Sequence, residues 1–149
     1  MKELTTEIII NASQETVWRV LTDFARYTHW NPFITASEGQ AVVGTRLVNR
    51  LQQGEKVFTF KPKVTQVEEG AYLEWLGHLW VPGLFDGRHY FRVEALTATT
   101  TKLTQGEHFS GLLRSIIMKS IAEKTHAGFI EMNRALKEQA ERASNVVSS

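Results

Sequence analysis

Two side chains suited to acid–base chemistry fall on the same face of what read as neighbouring strands. In Arg88-His89-Tyr90-Phe91-Arg92-Val93-Glu94, the charged Arg88, Arg92 and Glu94 mark one face, so His89, Phe91 and Val93 share the other. In the stretch 101–109, Lys102 marks the outside and leaves Leu103, Gln105, Glu107 and Phe109 facing inward. If the two segments form a hairpin around Thr97–Thr100, Val93 stands opposite Leu103, Phe91 opposite Gln105 and His89 opposite Glu107. Directly opposed residues of an antiparallel pair hold their Cβ atoms about 4.5–5.5 Å apart, within reach of a hydrogen bond. A His–Glu pair on an inner face has two readings. The partners satisfy each other in the core, as buried polar groups require, or they line a cavity and meet a ligand, with His89 and Glu107 as the candidate catalytic acid–base pair.

Other reactive patterns are missing. There is no cysteine, which removes disulfides, thiol nucleophiles and zinc–thiolate sites. His29, His78, His108 and His126 have no metal-ligand spacing, and no H-E-x-x-H, G-x-S-x-G or phosphate-binding loop is present. No metal and no cofactor is expected. With 17 basic and 16 acidic residues, the net charge of +1 gives no basic excess with which to neutralise a polyanion, so nucleic acid is not an expected partner. No run approaches the roughly 20 apolar residues of a membrane span, and the opening residues Met1–Glu7 carry acidic groups and no apolar run of signal-peptide length, so no signal peptide is expected. Stable membrane insertion is not expected, and the expected compartment is the cytoplasm.

The elements that must position these residues follow from periodicity. Ile8-Ile9-Ile10 reads as a strand, and Ser13 as the N-cap of a short helix carrying Val17, Trp18, Val20, Leu21 and Phe24. The helical pattern decays at Tyr27–Pro32, where Pro32 pushes Asn31 to extended geometry. From Phe33 to Phe109 the text is that of sheet. The segments are Phe33–Ser37, Thr45–Leu51, Val57–Val67, Tyr72–Leu79, Arg88–Leu96 and Thr101–Phe109, with Pro62 marking an edge or bulge. Strands in series with no intervening helix imply an antiparallel meander. Arg46, Arg50, Lys56, Lys61 and Lys63 read as its solvated outer face.

After Gly111 the period becomes helical. Leu113, Ile117 and Ile121 recur four apart, and Leu112, Ile116, Phe129, Ile130, Met132 and Leu136 widen the stripe, giving a helix from Leu112 to about Arg142. Gly128 costs such a helix about 1 kcal/mol relative to Ala, which implies close packing there or space for a guest. Residues 1–143 form one domain and 144–149 a disordered tail. The fold class is α+β: a curved antiparallel sheet of about six to seven strands around a long C-terminal helix, with two short N-terminal helices. One helix covers only part of a concave sheet, so an apolar cavity is expected, rich in the eight Phe and four Trp of the chain.

Tyr27-Thr28-His29-Trp30-Asn31-Pro32-Phe33, following a first helix, resembles the Y-x-x-W-N-P-F signature of the START-like (SRPBCC) superfamily, in its polyketide cyclase/dehydrase and lipid-transport group. The stretches Leu73–Gly77, Pro82–Phe91 and Thr101–Leu112 resemble the central strands of a bacterial branch, and the likeness runs from about Thr5 to Ala140. It implies a helix-grip fold around an internal cavity, in a superfamily whose members bind lipids, polyketides or hormones, act as cyclases or serve as co-chaperones. No catalytic residue carries over by position.

The expected function is binding or transport of a small hydrophobic ligand, lipid or polyketide-like. The candidate lining is Trp30, Asn31, Trp75, His89, Phe91 and Gln105, together with Glu107, Phe109, Ile117, Ile121 and Phe129. Trp30-Asn31-Pro32 has a structural reading as a turn beside its reading as a cavity mouth. The competing functions are a cyclase or dehydratase using His89 and Glu107, and a protein-interaction module. The apolar connection Leu79–Phe85 offers a gate, a homodimer contact through Trp80–Phe85 or a membrane-docking tip, the first two being favoured. The features favour binding over chemistry and do not name the ligand.

Overall fold

The computed structural model describes residues 2–79 and 81–148. β1 (Lys2–Ile10) carries the isoleucine run and leads to α1 (Gln14–Thr22), whose first turn is capped by Ser13 Oγ accepting from the Thr16 N–H at 3.1 Å. A 3-10 turn and the single-turn α2 (Tyr27–Trp30) follow, ending where Asn31 turns extended before Pro32. Then come β2 (Ile34–Glu38), β3 (Val48–Gln53), β4 (Lys56–Phe60), β5 (Lys63–Glu68), β6 (Tyr72–Leu79), β7 (Phe85–Thr97) and β8 (Thr100–Ser110), and finally α3 (Arg114–Ser148).

The strands are antiparallel and form a five-stranded sheet of order β1-β8-β7-β6-β5 and a three-stranded sheet of order β2-β3-β4. The segment expected as one strand, Val57–Val67, is two. Pro62 lacks an N–H and fixes its own φ, so the ladder breaks there and the chain passes from one sheet to the other. A single antiparallel bridge between Arg46 and Lys63 ties the sheets together, supported by Leu47 N–H donating to the Pro62 carbonyl at 2.8 Å. Arg46, Arg50, Lys56, Lys61 and Lys63 are all exposed, but Lys56 is not on the outer face as expected: it pairs with Gln53 and shares its face of β4 with Phe58 and Phe60, exposed because it stands at the strand's end.

The long helix starts at Arg114 rather than Leu112 and runs to Ser148, so residues 144–148 are helical where a disordered tail was expected. Ser149 lies outside the described residues. Its apolar stripe is narrower than the sequence suggests, because Leu112, Ile116 and Ile130 are exposed. The later part packs Phe129, Met132, Leu136 and Ala140 into the main core against Ile10, Leu21 and Phe33. The earlier part, through Met118 with Ile117 and Ile121, meets a separate small cluster with Phe85 and Phe109. The hollow lies between these clusters.

Candidate functional site: an apolar cavity with a histidine–glutamate wall

β7 and β8 pair in the register the alternation predicts: His89 with Glu107, Phe91 with Gln105 and Val93 with Leu103. The irregularity in the hairpin sits nearer the turn, between Ala95 and Thr97, and leaves this register intact. The His89 ring is held on all sides. Trp75 from β6 stacks on it at 5.0 Å, Phe91 lies beside it at 5.0 Å, and Phe129 from α3 approaches edge-on at 4.9 Å. Its Nδ1 is 3.1 Å from Glu107 Oε1 and its Nε2 is 2.9 Å from Gln105 Oε1. The two readings of the pair are therefore compatible, because the partners satisfy each other and both line the cavity.

The cavity has a volume of about 210 Å³. Trp75, His89, Glu107, Phe109, Ile117 and Ile121, all expected on the lining, are there. The other five candidates are not. Gln105, Phe91 and Phe129 are fully buried one layer behind it, where they brace His89. Trp30 packs edge-on against Tyr27 at 5.1 Å, away from the hollow. Asn31 Oδ1 accepts the N–H groups of Phe33 and Ile34 at 3.0 and 2.9 Å, so the turn reading is the one its geometry fits.

The opposite wall was missed. It comes from β3 and β4, through Asn49, Leu51, Gln53, Phe58 and Phe60. The signal was available: with Arg50 outside, alternation puts Asn49, Leu51 and Gln53 on the other face. The same parity extends Trp75 to Gly77 and Leu79, and His89 to Gly87 and Phe85, all on the lining. Leu79 and Phe85 are paired across β6 and β7, so these two ends of the supposed apolar loop belong to the cavity. Val81 stays exposed, and Trp80 lies outside the described residues.

Glycine makes room for the glutamate. A Cβ at Gly87 would overlap Glu107 Oε2, so only glycine lets the carboxylate lie across β7 toward the hollow. At the rim, His78 Nδ1 meets Asp86 Oδ1 at 2.8 Å. Burial opposes the Asp86 charge, but this bond and the Gly83 N–H outweigh it and hold the carboxyl below its ordinary range. On the far face of β6, Glu74 is treated likewise. Burial disfavours its charge, yet hydrogen bonds from Thr65, Arg88 and Tyr72 bring its carboxyl below the usual value. Among the described residues no group of three or more His, Asp or Glu could hold a metal ion, and no helix is long and apolar enough to cross a membrane.

Residues 1–141 match the family described as "Polyketide cyclase / dehydrase and lipid transport". The chain belongs to this family. Solved structures share the fold of this family member at low identity. The Zhui aromatase/cyclase from Streptomyces sp. R1128 is 14% identical, with 95% of this chain and 94% of that one covered at a TM-score of 0.74. A START superfamily protein from Mycobacterium smegmatis is 18% identical over 95% of this chain and 98% of that one, TM-score 0.74. A norcoclaurine synthase point mutant from Thalictrum flavum, in complex with a transition state analogue, is 14% identical over 95% of each chain, TM-score 0.74. Identities this low speak for the fold alone. No curated protein matches the chain by sequence.

Proposed function

We propose that this family member binds a small, largely apolar guest of one or two rings in the cavity walled by β3–β4, β6–β8 and α3. The observation that carries the reading is the hollow itself, about 210 Å³ lined by Leu51, Phe58, Trp75, Phe109, Ile117 and Ile121. An apolar cavity of roughly 150 Å³ stays dry and takes up benzene. A larger one with aromatic walls favours a flat guest, and isolated polar groups such as Asn49 and Glu107 would fix its orientation. Native mass spectrometry of freshly purified protein, with solvent extraction of whatever is released, tests it. The expected result is a one-to-one adduct of a compound with one or two rings. An adduct of a large diacyl lipid would overturn the reading, because such a guest exceeds the hollow.

A second reading is favoured by one observation, the contact of His89 Nδ1 with Glu107 Oε1 at the cavity wall. Such a pair supports acid–base catalysis of a cyclisation or dehydration, worth about 10²–10⁴-fold in rate. Incubating the released compound with protein decides it: conversion by the wild type and none by His89→Ala would make the chain an enzyme, and equal behaviour would leave it a binder.

A further inference from the structure

The hydrogen bonds behind the cavity wall form a one-way chain that begins at a group with no choice of role. A backbone carbonyl can only accept. The Gln105 backbone carbonyl accepts a hydrogen bond from the Thr6 hydroxyl at 2.9 Å, so Thr6 Oγ1 accepts from Asn133 Nδ2 at 2.8 Å. Asn133 is thereby oriented with its Oδ1 toward Gln105, whose Nε2 donates to it at 2.7 Å and also points at the Phe129 carbonyl at 3.4 Å. Gln105 is left presenting Oε1 to His89 Nε2, at 2.9 Å, so that nitrogen must carry a hydrogen. All four residues are buried.

The other ring nitrogen then faces a conflict. A neutral imidazole protonated at Nε2 has a lone pair at Nδ1, and 3.1 Å away stands Glu107 Oε1. Two acceptors in that position repel unless a proton lies between them. We infer that the pair holds one such proton between His89 Nδ1 and Glu107 Oε1, and that Thr6, Asn133 and Gln105 put it there as positioning residues. Whether it sits on the ring or on the carboxyl, the pair is net neutral, and it is a single proton-bearing unit facing the cavity. Glu107 Oε2 has no protein partner among the described residues and is left for a guest.

Among the described residues, no other charged group contacts the pair. Trp75 on β6, Phe91 on β7 and Phe129 on α3 surround the ring, Leu4 on β1 stands opposite Glu107, and Asn49, Leu51 and Gln53 of β3 and Thr125 of α3 complete the wall. The other titratable group on the lining is His78, already bound to Asp86.

The inference concerns the site proposed above but is read on the free protein, so it can fail while the binding reading stands, and the reverse. Nitrogen-15 NMR of the His89 ring, followed from about pH 5 to about pH 8, should show Nε2 protonated throughout. In Gln105→Met the acceptor at Nε2 is gone, so a neutral ring can turn its hydrogen to Nδ1 and donate to the carboxylate. The pair should then lose a proton more readily, its apparent pKa falling by about one unit or more. Asn133→Leu, which does not touch His89, should lower it in the same direction and serves if the first variant does not fold. A merely structural Gln105 would alter stability and leave this titration in place. A neutral His89 carrying its hydrogen on Nδ1 in the wild type, or an unmoved titration in a folded variant, would overturn the inference.

Discussion

Gly128 shows how one residue serves the cavity by packing beside it. A Cβ there would run into the Phe33 ring, which lies on α3 at that point, edge-on to Phe129 at 5.7 Å. Alanine should gain about 1 kcal/mol of helix propensity, against roughly 1–3 kcal/mol for forcing an extra carbon into a filled core. Phe33 also borders the hollow, but both rings are buried and in contact with each other, so the second effect should win. Gly128→Ala is expected to melt at a lower temperature than the wild type, and an increase would show that Phe33 can yield. The sequence raised the choice between close packing and space for a guest at Gly128, and the ring contact answers it. His89 and Glu107 were legible for a different reason: alternation fixes a face without any knowledge of the partner strand. Gln105 was misplaced because parity says which face a residue takes and not how deep it lies; at the middle of the sheet that face is covered by Phe129 and Asn133.

Among the elements, β6 carries the main polar anchor outside the cavity. Glu74 accepts from Thr65 at 2.7 Å, Tyr72 at 2.8 Å and Arg88 at 2.8 Å, tying β5, β6 and β7 across the sheet's outer face. Its carboxyl titrates below its unfolded value, so the folded state binds fewer protons there in that window. The stability this contributes is present above the unfolded carboxylate pKa and is lost as pH falls through the lower folded value. Glu74→Gln should therefore cost about 1–2 kcal/mol near neutral pH, measured by urea unfolding, with the gap from wild type closing as the medium becomes acidic. A constant gap would mean that the loss is one of shape rather than of charge. Strand identities were largely readable, since β6 spans Tyr72–Leu79 as alternation indicates. The split at Pro62 was readable only as an irregularity: a proline reports a missing ladder bond, but not that the chain changes sheets. The apolar spacing of α3 overstated its buried face, because Leu112 and Ile116 precede the part of the helix that the sheet covers.

For the whole molecule, the two sheets and α3 border a partly open hollow that the described side chains do not fill, and the proposed binding of a flat apolar guest rests on it. The wall from β3 and β4 is legible only as a face, because Asn49, Leu51 and Gln53 alternate with Arg50, and alternation does not say whether that face meets another layer or a hollow. Filling the hollow from inside is the direct way to separate a binding cavity from a packing imperfection. Ile121 lines it from α3 beside the small Phe85–Phe109–Met118 cluster, and Ile121→Trp would place a large ring in the space. Calorimetric titration of both proteins with 2-naphthol, a two-ring probe with one hydroxyl, shows whether the hollow is a binding site. A binding cavity should give a single saturable site in the wild type and at least about tenfold weaker binding, a loss of roughly 1.4 kcal/mol, in a folded Ile121→Trp. Equal affinity in the two proteins, or no binding to the wild type, would contradict it.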